Sequence, residues 1–192
     1  GSFGMSQKGK SLRYALIGLQ FVISIAFIIC AIFLKKQHSY MMNYDMGFNK
    51  ECLLTANIPV SSMDERDAFS SELLNNPNIK EVAWSQDRMV AEMHMTWGRW
   101  HHGEQMMLTV MPVSWNFLQV MGIEVFEGRD FLPSDEKGDG AIILNEYAKN
   151  KYNLNLEEVI EWNGKPFPAT GFCRDFHFKP LHEESDAFAF YI

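Results

Sequence analysis

Residues Tyr14 to Leu34, YALIGLQFVISIAFIICAIFL, run for 21 positions without a charged side chain, and only Gln20 and Ser24 among them are distinctly polar. As a helix rising about 1.5 Å per residue, the run measures roughly 31 Å, one hydrocarbon thickness of a bilayer. A signal peptide has a shorter apolar run and a small-residue cleavage site, whereas this one is closed by Lys35-Lys36 and continues as QHSYMMNYD. The run therefore reads as a membrane span and not as a signal peptide or a buried core helix. Helix-compatible residues persist over 35–50 and predict a stalk, carried to about Asn43 and broken at Gly47. Lys8, Lys10 and Arg13 outweigh Lys35 and Lys36 slightly, which leans toward an inside N-terminus. The chain opens on Gly1-Ser2, native or a cloning remnant, and reads as a piece of something longer.

Charge divides at the same place. Residues 1–50 hold six Lys and Arg against Asp45, a net of +5, so residues 51–192 carry −12 of the total −7. An acidic body behind a basic, apolar leader fits a membrane protein and argues against a nucleic-acid surface, which needs clustered cations to neutralise phosphates. Cys30 lies in the span, while Cys52 and Cys173 sit in apolar runs. These two read either as small buried apolar residues or as a Cys52–Cys173 disulfide closing a domain on the oxidising side of the membrane.

Beyond the stalk the pattern predicts strands and helices in alternation. CLLTANI (52–58) reads as a buried strand ended by Pro59. Ser62 starts a helix with capping-box spacing, carrying Phe69, Leu73 and Leu74 and stopped by Pro77, and KEVAWSQ (80–86) reads as a second strand, together a split βαβ unit. Later signals are a strand at 108–112 and a helix capped by Ser114 and closed by Gly122. They continue with the strand AIIL (141–144), a helix capped by Asn145, a hairpin turning at Asn163-Gly164, a returning run TGFCRDFHF, and the apolar FAFYI. The fold class expected is α+β.

Residues 88–140 stand apart in composition, with seven of the twelve methionines and Trp97, Trp100 and Trp115. Large apolar groups in such number read either as core or as an exposed docking face for a varied or apolar partner. The docking expectation names Met93, Met95, Trp97, Trp100, Met106 and Met107, carried on a lobe that projects from the body.

Chemical motifs are missing where they would be legible. The chain has no Walker lysine loop, dinucleotide glycine fingerprint, nucleophile elbow or zinc-metalloprotease helix motif, so no nucleotide, cofactor or metal is expected and no catalytic residue is assigned. His94, His101 and His102 cluster, as do His177, His182 and Glu183, but their spacing matches no closed metal site. Asp130, Asp135, Asp175 and Glu184 show no spacing that argues convergence.

Five stretches, in order, resemble ABC transporter permeases of the MacB/FtsX type, in the multi-span form common in Bacteroidetes-like bacteria. They are SLRYALIGLQFVISIAF, YDMGFNKECLL, FLQVMGIEVFEGRDF, AIILNEYAKNKY and GFCRDFHFKPLHEE. The resemblance implies a cytoplasmic leader (1–13), the span (14–34), the stalk (35–50) and a MacB-like extracytoplasmic domain (51–192), its porter-like part being 51–87 with 141–192 and its inserted lobe 88–140. It further implies a permease in the cell inner membrane with its main domain in the periplasm. The partners implied are a cytoplasmic ATPase, a second permease copy, the lipid bilayer, and an outer partner or apolar cargo. Such a domain does not carry substrate across the bilayer; it moves with ATP hydrolysis and drives export, lipoprotein release or an outside partner. The other reading is a single-span sensor or a pilin-like subunit with an α/β head. A pilin would carry a short basic leader with a processing site, and here Lys8, Lys10 and Arg13 precede the span without one.

Overall fold

The computed structural model describes residues 7–59, 62–91, 94–101, 103–138, 140–156, 159–162, 165–179 and 186–192, and they fall into two units divided between Tyr44 and Asp45. The first unit is one helix, α1 (Gln7–Met42), of 36 residues. At about 1.5 Å per residue it measures roughly 54 Å, well beyond a hydrocarbon core of about 30 Å. None of its apolar window is buried within the chain, so the helix is long and apolar enough to cross a membrane and offers its whole circumference to whatever surrounds it. Helical geometry persists through Lys35–Met42, as the stalk expectation requires, and the Asn43 amide donates to the Ser39 carbonyl at 2.8 Å.

The second unit is α+β. Its strands are β1 (Met95–His101), β2 (Glu104–Pro112), β3 (Val125–Gly128), β4 (Ile142–Asn145), β5 (Val159–Trp162), β6 (Lys165–Cys173) and β7 (Phe188–Tyr191). They form one mixed sheet in the order β1-β2-β7-β4-β6-β3, with β5 on β6; β2/β7 and β4/β6 are parallel and the other pairs antiparallel. The helices are α2 (Met63–Leu74), α3 (Phe117–Met121), α4 (Pro133–Glu136) and α5 (Glu146–Tyr152).

Period-two alternation sorts the side chains onto the two faces of this sheet. Phe188 and Phe190 of β7 and Ile143 of β4 join Phe117, Leu118, Phe176 and Phe178 in one core. Ala187 and Ala189, with Ile142 and Leu144, join Trp97, Leu108 and Phe172 in the other. Both faces are covered, which is why AIIL and FAFY read as continuous apolar runs. The phenylalanine face is an aromatic stack, with Phe188 centred 4.5 Å from Phe178 and 5.1 Å from Phe176. The alanine face leaves room for larger groups, and there Trp97 lies 4.7 Å from Tyr191 and 5.6 Å from Phe167.

Three expectations are corrected. Residues 52–58 are not a strand: Leu54 is 95% exposed and Cys52 has a left-handed backbone, φ 59°. An apolar run becomes a strand only where a ladder partner exists, and among the described residues this one has none. The 80–86 run makes a single bridge, Ser85 to Val113, so the split βαβ expected over 51–87 does not form. Nor do residues 88–140 project as a separate lobe, because β2 pairs in parallel with β7 and brings β1 into the central sheet. A smaller difference concerns α3, whose N-cap is Asn116; Ser114 stands before it and accepts the Phe117 N–H through its carbonyl.

At one close approach glycine is obligatory. Gly128 has φ +79°, and a Cβ there would fall on the Thr170 carbonyl oxygen and within 2.9 Å of the Gly171 Cα. Gly103, at φ +86°, has open space around it. Gly128→Ala is expected to cost about 2 kcal/mol or more by backbone strain plus collision, and Gly103→Ala only about 1 kcal/mol by strain alone. Chemical denaturation of the two variants checks the difference, and equal costs would contradict the close β3–β6 approach.

Candidate docking cleft

A single tryptophan fastens α2 to the sheet. The Trp84 indole N–H donates to Ser70 Oγ at 2.8 Å, and Ser70 in turn donates to the Arg66 carbonyl at 2.7 Å. The Trp84 ring stands edge-on to Phe69 at 6.1 Å. On the sheet side, Trp84 N–H donates to Ser114 Oγ and Ser114 N–H to the Trp84 carbonyl, both at 2.9 Å. Ser114 Oγ donates to Asn116 Oδ1 at 2.9 Å, and Asn116 Nδ2 donates to the Val82 carbonyl at 3.0 Å. Because α2 buries none of its residues, this clasp is a principal attachment of the helix to the sheet. Trp84→Ala should therefore raise hydrogen exchange across 63–74 by an order of magnitude or more while β4 stays protected. Unchanged exchange in α2 would contradict the clasp.

Between α2, the 55–58 segment and the 84–88 segment lies an open cleft of about 910 Å³. Thr55, Asn57, Arg66, Trp84, Arg88 and Tyr191 are among its lining. Two guanidinium groups, Asp87 and Glu136 give it mixed charge, and the backbone of 55–58 has no strand partner among the described residues. Such a lining suits a polar chain with apolar side groups better than a purely apolar ligand.

The methionine and tryptophan residues expected to dock a partner are divided by the strand alternation. Trp97 and Met106 are each 1% exposed and belong to the core, which corrects the docking expectation for both. Met95 and Met107 are exposed, at 37% and 44%. The Met107 backbone is clamped by Tyr152, whose hydroxyl accepts its N–H and donates to its carbonyl, each at 3.0 Å. Met93 and the Trp100 side chain lie outside the described residues.

Cys52 and Cys173 are unbonded. Cys52 is exposed on a turn, whereas Cys173 is buried on β6 opposite Asn145 and Val125, where desolvation pushes its thiol far above the ordinary range.

The described residues contain no group of three or more His, Cys, Asp or Glu placed to hold an ion. Asp135 is taken up by Arg129, which donates to its two oxygens at 2.6 and 2.9 Å and holds the carboxyl below its usual range. Asp175 is raised by burial and accepts the Tyr147 N–H and the Asn145 amide at α5. Asp130 is likewise raised by burial. The His177 N–H donates to the Met46 carbonyl at 2.7 Å. His102, His182, Glu183, Glu184 and the His101 side chain lie outside the described residues. The clasp is not legible in the sequence, because Trp84 stands in the run KEVAWSQ that reads as a strand, and only its pairing with Ser70 across the fold reveals its role.

No protein-family model matches the chain. No curated protein matches it either. Among solved structures, the chain is similar to the periplasmic region of MacB from Actinobacillus actinomycetemcomitans, at 15% identity and TM-score 0.47, over 67% of this chain and 60% of that one. It is similar to the extracellular domain of the noncanonic ABC-type transporter YknZ from Gram-positive bacteria, at 18% identity and TM-score 0.38, over 50% and 48%. A domain of a protein described as a permease, from Porphyromonas gingivalis, is similar at 13% identity and TM-score 0.40, over 57% and 49%. The chain thus spans 60% or less of each of these structures.

Proposed function

We propose that this chain is the membrane-anchored, extracytoplasmic part of a MacB/FtsX-type ABC permease, without catalysis of its own, which passes movement from a cytoplasmic ATPase to a partner outside the membrane. The observation that carries this reading is α1, helical without interruption from the span through Lys35–Met42. A continuous helix transmits displacement along its axis, which a flexible tether would dissipate. The five stretches that resemble such permeases support it from the sequence side. In this reading residues 1–13 are cytoplasmic, residues 51–192 lie outside the inner membrane, and the cleft beside α2 receives an extended segment of the outer partner. A second permease copy completes the assembly.

Cys52 supplies the test, being exposed and unbonded just beyond the stalk. A membrane-impermeant maleimide applied to spheroplasts should label the chain, and Cys52→Ala should remove the label, since Cys173 is buried and Cys30 lies in the span. Labelling only after lysis would overturn the orientation. The permease assignment is checked separately, by purifying the chain from native membranes in mild detergent and assaying ATP hydrolysis; a preparation without an ATP-hydrolysing subunit would contradict it.

A further inference from the structure

We infer that His94 is an acid-sensitive latch, which is seated against the aromatic core while its ring is neutral and leaves it when the ring is protonated, loosening the preceding residues 85–91. The ring packs as an aromatic group, 5.9 Å from Phe178 and 5.7 Å from Phe188, edge-on to both at 74° and 83°. These two phenylalanines are 1% and 0% exposed. Neither ring nitrogen of His94 reaches solvent or has a hydrogen-bond partner of ordinary geometry among the described residues. A neutral imidazole tolerates such a place; an imidazolium would bring a charge into it with no ion-paired partner among the described residues, and a buried charge without a partner is expensive.

The charged groups around the ring do little to offset that cost. Burial lowers the His94 affinity for a proton, and the Asp87 charge and the Met89 backbone oppose this by less. On the other side, Lys179 lies over the Phe178 ring at 5.8 Å and pairs with Asp186, just before β7, at 3.6 Å, so those two charges offset each other. His177 adjoins Phe178 in the chain, and Arg88, next to Asp87, lines the cleft. Since the folded ring titrates below the ordinary value of 6.5, its contribution to stability is fully present above about pH 6.5 and is lost as pH falls through the folded value.

Release would be felt at the cleft. Ser85, Gln86, Asp87, Arg88 and Ala91 line it; the segment is also held at its start by the Ser85–Val113 bridge and by Gln86 N–H donating to the Pro112 carbonyl at 3.1 Å, and further along by Met89, which is 7% exposed. Mild acid thus opens one wall of the cleft while the sheet stays folded. Only this consequence for docking rests on the proposed function; the latch itself does not.

The experiment uses the full chain in lipid nanodiscs with histidine-labelled NMR and hydrogen exchange. His94 should titrate below 6.5, and the amides of 85–91 should exchange, relative to their intrinsic rates, several-fold faster at pH 5 than at pH 7.5, up to a ceiling of about thirtyfold because pH 5 lies only about 1.5 units below the value of the released ring. The amides of 142–145 should not respond. His94→Phe should remove the pH dependence. Titration of His94 at or above 6.5, or the same acid response in His94→Phe, would overturn the latch. If that variant does not fold, titration of the wild-type ring decides alone. Neither readout involves a partner, so failure of the docking reading would leave both unchanged.

Discussion

Trp97→Ala should destabilise the α+β unit by about 3–5 kcal/mol, the range for deleting a large buried aromatic. The side chain is 1% exposed, tilted against Tyr191 and Phe167, and fills the space that Ala187 and Ala189 leave over β7. Removing it leaves a cavity beside the central strand that backbone on both sides of β7 prevents from collapsing. Against a typical total stability of about 5–15 kcal/mol this is a large share, and for a domain of this size it corresponds to a melting temperature lower by roughly 6–20 °C. Met107→Ala, on the opposite face and 44% exposed, should move it by only about 1–2 °C. Differential scanning calorimetry of the detergent-solubilised chain separates the two. A folded Trp97→Ala with near-native melting would return Trp97 to the role of a docking residue.

Asn145→Leu should cost about 3 kcal/mol or more, although the two side chains branch at the same carbon. Asn145 is wholly buried at the junction of β4 and α5, and all its hydrogen-bonding capacity is used. Its Oδ1 accepts from Ala148 N–H at 3.1 Å, capping α5, and from Phe188 N–H at 2.9 Å. Its Nδ2 donates to Asp175 Oδ1 at 2.9 Å and to the Asp186 carbonyl at 3.0 Å. Leucine loses the cap, about 1 kcal/mol, and leaves buried donors and acceptors unmet at about 1–3 kcal/mol each.

Asn145→Asp distinguishes the polar account from simple packing. It removes the two donors and sets a second carboxyl against Asp175, which is already raised by burial. Both groups then favour the protonated form more strongly in the folded chain than in the unfolded one. The deficit should be largest near pH 7 and shrink as pH falls below about 5. A pH-independent deficit in urea denaturation would contradict the contact between the two side chains.

Local signals were legible where one short stretch contains its own cause. The long apolar helix α1 and its continuation past Lys36 followed from 21 uncharged apolar residues and the helix-compatible run after them. Ser62, Gly122 and Asn145 marked helix ends because a cap is made within three or four residues, and each stands where expected. AIIL and FAFY were legible as strands because only strands buried on both faces are apolar throughout.

Pairing was not legible, since it depends on residues far apart in sequence. The apolar run 52–58 looked no different from 141–144, yet AIIL lies between β6 and β7 whereas CLLTANI has no strand beside it among the described residues. Composition likewise could not tell whether the methionine-rich segment stood off the body or within it. The parallel pairing of β2 with β7, 79 positions from Thr109 to Phe188, settled that by placing Trp97 over two alanines. The sequence by itself thus determined the long apolar helix, the caps and the α+β class, which rest on contacts within a few residues. Only the tertiary structure decided which apolar side chains are core, that Trp84 clasps α2, and that His94 faces phenylalanines, because each is a contact between segments whose separation no periodicity encodes.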